Sequence, residues 1–375
     1  MEDNKARKKR ILIVDAFIGM GGEEEVAFYI YKNLDRSVFD VRIMAPRESR
    51  YFDKYRPDEN EFIPNVVTGK FSFRNMLQVR KLIKENGIDL VHVHGYSAGY
   101  FMRLACVGMP SVKIVWSMHL NVLDVQAMSI VSRWINAKIE NILSNHRIFT
   151  DRIICVAEDG KKCLLQRGVN RTDISVIYNG IDTSIFEKTE EKPESDVFTL
   201  GFISRLSVQK NIPLLMEITK TLLENGMSLK LIVAGEGEMY QYASSFVATN
   251  HLEDHISLIG FQKDVASILK KIDVLILPSL YECFPMIILE SLSCSVPVIG
   301  SRVNGVPEAI IDGETGCLVD SGDLDGFVQA VKKYYNDRCI IKHQGKNGRN
   351  LVKERFSKEI MLEKHERLYK EMLML

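Results

Sequence analysis

The sequence predicts an α/β protein built from two doubly wound domains, each a parallel sheet covered by helices on both faces. Three observations predict it. Short apolar runs alternate with helical periodicity from one end to the other. The runs are nearly continuous, as in strands buried on both faces. One polar, proline-containing stretch, NGIDTSIFEKTEEKPESD at 179–196, divides the alternation in two. The length of 375 residues agrees, since it exceeds one ordinary domain.

In the first half, strands are expected at ILIVD (11–15), VRIMA (41–45), LVHVH (90–94), KIVWSMH (113–119), RIICVA (152–157) and ISVIY (174–178). Between them, EEEVAFYIYKNL (23–34) and NMLQVRKLIKENG (75–87) have the spacing of helices covering a sheet. The alternation restarts with FTLGFIS (198–204), LKLIVAG (229–235), ISLIGF (256–261), VLILPS (274–279) and PVIGS (297–301). The expected domains are therefore 1–180 and 197–356, followed by a final amphipathic helix at 357–375 that packs back toward the first domain. Two such domains facing each other would leave a cleft between them, where strand C-termini converge and ligands usually bind.

Composition excludes several classes. The chain is 46% hydrophobic and 26% charged, a globular profile, and its equal totals of 49 basic and 49 acidic residues give no reason to expect nucleic acid. Residues 1–182 nevertheless hold 27 basic and 22 acidic side chains, so the first half is the one that would face an anionic surface. Seven cysteines without a CxxC pair point to a reducing compartment and no zinc knuckle. The apolar run after MEDNKARKKR is too short for a signal peptide, and no segment approaches ~20 consecutive apolar residues. The expectation is a cytoplasmic protein, with peripheral contact at the inner membrane face through the N-terminal domain as a secondary option.

Candidate chemistry sits where strands end. AFIGMGGEEE (16–25) is a glycine-rich strand-to-helix turn, but Glu24 stands where the third glycine of GxGxxG belongs, and no acid ends the second strand; a dinucleotide dehydrogenase is disfavoured. His94 and His119 end strands and would point out of the core, whereas His92 lies deeper and is expected to be a satisfied core histidine. Arg205 and Lys210, in a loop after a strand, could clamp a diphosphate. In YECFPMIILE (281–290), Glu282 and Glu290 lie seven residues apart with no visible partner. Pro285 suits the first turn of a helix, leaving the amides of Met286 and Ile287 for phosphate oxygens. Glu282 would then accept hydrogen bonds from neutral hydroxyls, and Glu290 from a vicinal diol such as a ribose. DLD (323–325) is expected to cap the helix DLDGFVQAVKKYY rather than bind metal. VQAMSIVSRWINAKIENILSNHR (125–147) carries Met128, Val131, Ile135, Ile139 and Ile142 on one face, for which core packing is the default and a membrane- or acceptor-facing role the alternative.

With GMGGEE, the strand-end His119, VIYNGID, SRLSVQKN and, above all, YECFPMIILESLSCSVPVIGSRVNGVPEAIIDGETGCLV, the chain resembles the retaining glycosyltransferases of family 4, of the bacterial surface-polysaccharide type. The similarity is tight over 199–320 and looser over 1–175. The resemblance implies the GT-B fold, two facing Rossmann-like domains with a cleft between them, and a nucleoside diphosphate sugar, UDP-linked, held mainly by the second domain. It implies that Arg205 and Lys210 neutralise the departing diphosphate, that Glu290 holds the ribose and that Glu282 contacts the donor sugar. Backbone from Phe284 through Pro285, Met286 and Ile287 would cradle phosphate and sugar. Gly260, Phe261 and Gln262 would line the base, Gly21 and Gly22 would approach the phosphates, and His119 would reach the transferred sugar. Family members often carry glycine where Pro285 stands, and proline removes one amide donor. The acceptor would be a glycan or a lipid-linked acceptor, with no metal or other cofactor. The alternatives on this fold are a sugar-nucleotide epimerase, a phosphorylase, or a non-catalytic subunit that binds the sugar nucleotide.

Overall fold

The computed structural model describes residues 7–16, 21–67, 72–119, 129–187 and 197–375. Among the expected features, residues 17–20 of the first glycine loop, 125–128 of the amphipathic segment (Met128 included) and 188–196 of the dividing stretch lie outside these. The chain forms two compact units, Met1–Asn179 with Glu359–Leu375, and Gly180–Lys358.

The first unit holds strands β1 (Lys9–Val14), β2 (Phe39–Ala45), β3 (Phe62–Pro64), β4 (Leu90–His94), β5 (Lys113–Met118), β6 (Arg152–Cys155) and β7 (Ile174–Val176). They form one parallel sheet in the order β3-β2-β1-β4-β5-β6-β7. Period-two geometry sends alternate side chains of β1 to opposite faces: Leu12 and Val14 join one apolar cluster, Ile11 and Ile13 the other. The helix Lys358–Leu373 contributes Met361, Leu368 and Tyr369 to the second of these clusters. The Tyr369 ring meets Phe39 edge-on.

The second unit holds β8 (Phe198–Ile203), β9 (Leu229–Ala234), β10 (Ile256–Gly260), β11 (Val274–Leu277), β12 (Val298–Ser301) and β13 (Gly316–Val319), again all parallel, in the order β10-β9-β8-β11-β12-β13. Its first and last residues lie side by side: Ile181 donates to the Phe356 carbonyl and accepts from Lys358 N–H. A Cβ on Gly180 would stand 2.4 Å from the Ser357 carbonyl oxygen, so only glycine permits this approach.

Two strands are absent from the sequence expectation. β3 is three residues long and ends in proline, and β13 opens on Gly316, whose Cβ would meet the Val298 carbonyl oxygen at 2.3 Å. Neither has the apolar run that marks a buried strand. Several expected strands also stop early, β5 at Met118 and β6 at Cys155, which leaves His119 one residue past its strand.

Candidate active site

In each sheet the strand order reverses direction at the first strand, between β1 and β4 and between β8 and β11. Loops leaving the C-terminal ends of strands diverge there and open a crevice. The expected site residues gather at these two edges.

In the second unit, β8 runs into Ser204, Arg205 and Leu206. Leu206 is fully buried, while Arg205 is exposed and its guanidinium has no partner among the described residues. The loop after β9, Gly235–Glu238, holds this segment: Leu206 N–H donates to the Glu236 carbonyl at 2.8 Å, Met239 N–H to the Leu206 carbonyl at 2.9 Å, and Val208 N–H to Glu238 Oε1 at 3.2 Å. Gly235 N–H in turn donates to the Gly260 carbonyl at 2.8 Å, which brings the Gly260–Gln262 segment to the same edge. Gln262 donates back to the Ile259 carbonyl. The Gly235–Glu238 loop went unrecognised in the sequence, although a glycine pair directly after a strand is a signal for such a turn.

After β11, Glu282 is buried but not alone, which corrects the expectation of a carboxylate without a partner. Its Oε1 pairs with Lys210 Nζ and accepts from Ser279 Oγ at 2.8 Å, and its Oε2 accepts from Gln209 Nε2 at 3.4 Å. Gln209 Nε2 also donates to the Tyr281 carbonyl, and Glu282 N–H donates to Asn304 Oδ1 at 3.2 Å. Lys210 is therefore no free cation: one of its three N–H donors is committed to Glu282. Pro285 is the N-cap of the helix Met286–Ser293 rather than its first helical residue. Ile288 N–H reaches the Pro285 carbonyl, so Met286 and Ile287 carry the first-turn amides without intrahelical acceptors. Phe284 is buried with its ring against Phe356 at 5.3 Å. Glu290 lies mid-helix and half-buried. Asp323 caps the helix Leu324–Asn336 by accepting from Gly326 N–H at 2.9 Å, as expected of DLD.

In the first unit, His94 ends β4 and His119 follows β5, with His94 Nδ1 3.0 Å from His119 Nε2. Burial and the neighbouring His365 push His119 down to about 3, and burial and the adjacent histidines hold His94 well below the usual range, so both are neutral. Among the described residues, the buried His94 Nε2 has no partner. An orphaned acceptor costs less than an orphaned N–H, so partner satisfaction assigns the His94 proton to Nδ1, donating to His119. His119 then carries its own proton on Nδ1 and offers a neutral donor. His92 is the satisfied core histidine, held by Tyr369 Oη at 2.5 Å and Ser117 Oγ at 2.7 Å.

Gly21 caps the helix Gly22–Asn33 in an extended conformation, and its first turn holds Glu23, Glu24 and Glu25. The Glu23 carboxyl lies against Gly95, where a Cβ would fall 2.0 Å from Oε1. Burial, then Asp15 and Glu24, raise Glu23 to about 8. A carboxyl that binds its proton more tightly when folded makes stability fall as pH rises from 4.5 to about 8. Glu23→Gln should remove that slope: the variant will melt above wild type beyond pH 8 and with it below pH 4.5, as read by calorimetry across pH. In the same first turn, Glu25 Oε1 pairs with Lys54 Nζ at 2.8 Å.

Two family models and several known proteins match this chain. Residues 20–185 match the family model described as Glycosyltransferase Family 4, and residues 183–351 match that of the group 1 glycosyl transferases. An uncharacterized glycosyltransferase of Methanocaldococcus jannaschii, MJ1178, is 30% identical over 81% of this chain and 84% of its own. The chain belongs to the family 4 glycosyltransferases. This glycosyltransferase is also 27% identical, over 94% of its length and 95% of the relative's, to the UDP-Gal:alpha-D-GlcNAc-diphosphoundecaprenol alpha-1,3-galactosyltransferase of Escherichia coli. Its fold is that of Anabaena Alr3699/HepE, solved with UDP and glucose: the TM-score is 0.82 at 17% identity, covering 97% of this chain and 100% of that one. The glycosyltransferase thus has the GT-B fold expected of it. No helix among its described residues is long and apolar enough to cross a membrane.

Proposed function

We propose that this glycosyltransferase moves a hexose or related sugar from a uridine diphosphate donor, with retention at the anomeric carbon, onto a glycan or lipid-linked acceptor in surface-glycan assembly. The observation that carries the proposal is the edge between β8 and β11, where an exposed Arg205 and the first-turn amides of Met286 and Ile287 share one strand edge. Such an edge meets charge that develops on a departing diphosphate. Lys210 adds its remaining donors while Glu282 holds it in place, and one acceptor position on Glu282 Oε2 is left for a sugar hydroxyl. Glu290 binds the ribose diol, and Gly260 to Gln262 line the base. In the first unit, His119 offers a neutral donor beside His94. The named donor of the Escherichia coli relative and the UDP and glucose of the Anabaena structure support the choice of donor.

These cations and amides do the work of a metal, so EDTA is expected to leave the rate unchanged. Asp323 caps its helix through Oδ1. Incubation of labelled UDP-hexoses with lipid-linked and soluble glycan acceptors, with the product's anomeric configuration read by NMR, tests the reaction. Hydrolysis or epimerisation without transfer would overturn it, and so would an inverted product. Glu290→Ala should weaken UDP binding by about 2 kcal/mol, the usual loss for a hydrogen bond to a charged group, as measured by titration calorimetry.

A further inference from the structure

Three imidazoles lie in contact at the ends of β4 and β5. His92 and His94 point to the same face of β4, with ring centroids 4.2 Å apart, and the His119 ring lies 5.2 Å from that of His94. His92 is a fixed wall, because both its nitrogens are engaged, one by Tyr369 of the final helix and the other by Ser117. The His365 ring lies 5.6 Å from His92 and is itself tied to the Met361 carbonyl at 2.8 Å. His94 is only 1% exposed and packs against two of these rings. Turning its imidazole over would trade Nδ1 for a carbon and lose the contact with His119.

A histidine at a functional site usually has its tautomer set by a carboxylate or a carbonyl. A carboxylate would also draw a second proton onto the ring. His119 Nε2 meets an imidazole nitrogen instead, 3.0 Å away. Between two neutral rings, only one of the facing nitrogens carries a proton. If His119 Nε2 held it, His94 would carry its own proton on Nε2, a buried N–H with no acceptor among the described residues. With the proton on His94 Nδ1, the orphan is a lone pair, the cheaper defect. We infer that His94 is a positioning residue, which donates to His119 Nε2 and so holds the His119 proton on Nδ1 for a substrate hydroxyl. Free histidine adopts this tautomer less often, so a partner has to impose it. Burial keeps both rings neutral, as the arrangement requires. The hydroxyl belongs to the reaction proposed above, on which its part in transfer rests; the tautomer exists without substrate.

The test reads the tautomer first. In the full chain with isotope-labelled histidine and no substrate, long-range proton–nitrogen NMR tells Nδ1–H from Nε2–H. A His119→Gln sample assigns the His119 signals among the eight histidines. His119 should carry its proton on Nδ1. His94→Leu should move that proton to Nε2, and His94→Asn, whose amide nitrogen takes the place of Nδ1, should restore it. Transfer should follow the proton. His94→Leu should slow turnover about tenfold, the worth of one hydrogen bond, with UDP affinity unchanged, and His94→Asn should recover most of the rate. A wild-type His119 protonated on Nε2 would overturn the assignment, and so would a tautomer that His94→Leu leaves in place. Equal losses of turnover in both variants would reduce His94 to packing. A wild type that transfers no sugar would sink the proposed reaction instead, and the spectrum would still decide the tautomer.

Discussion

Lys210→Ala should lose both transfer and stability, each by a large factor. The sequence alone suggests a surface cation whose removal would leave the fold intact, but the structure places it against Glu282, with side-chain exposures of 11% and 6%. Removing one partner of a buried pair leaves an uncompensated charge, which costs about 3 kcal/mol. Ser279 and Gln209 still donate to that carboxylate and hold the loss near the low end of the range. For a unit of this size the melting temperature should drop by about 8 °C. Transfer should fall by about a thousandfold, as when one preorganised donor to a developing charge is lost. The double variant Lys210→Ala/Glu282→Gln separates the two effects. It should recover most of the lost stability, because the amide is neutral, and none of the lost transfer. If Lys210→Ala melts with wild type, the two neutral donors alone satisfy Glu282, and the pair has no structural role.

That pair also shows where sequence reasoning ran out. Strands β8 and β11 were legible because a parallel strand covered on both faces is a nearly continuous apolar run. The same logic fails for β3 and β13, one ended by proline and the other opened by a glycine that a neighbouring carbonyl requires. Glu282 and Lys210 could be singled out separately, each in a loop at a strand end. Their meeting could not, since they are 72 residues apart and only the sheet order makes their loops neighbours. The helix Ile130–Asn145 fails differently. Its periodicity announces an apolar stripe, but periodicity does not say which face the protein covers. Here the stripe faces outward, with Val131 67% and Trp134 61% exposed, because Arg103 and Arg167 lie outside the helix and give its polar face buried partners.

Gly237→Ala should be strongly damaging to the second unit, although it lies in a loop. Gly237 has φ +151°, and a Cβ there would stand 2.3 Å from the Leu206 carbonyl oxygen. That oxygen is not free to move, because it accepts from Met239 N–H, while Leu206 N–H is held by the Glu236 carbonyl. An alanine therefore has to break this pairing as well as adopt a strained backbone. Two lost hydrogen bonds and the strain together cost about 4 kcal/mol, or about 12 °C in melting temperature. The loop carries Arg205 between Ser204 and Leu206, so UDP affinity should fall with it, by about thirtyfold if the guanidinium loses its bond to phosphate. Gly226→Ala is the control. Gly226 also has a positive φ, of +77°, but nothing stands within 4 Å of its Cβ position. It should cost about 1 kcal/mol and leave UDP binding alone. A large gap between the two variants assigns the damage to the contact with Leu206. Equal losses would mean that only backbone strain matters, and that the turn after β9 does not position Arg205.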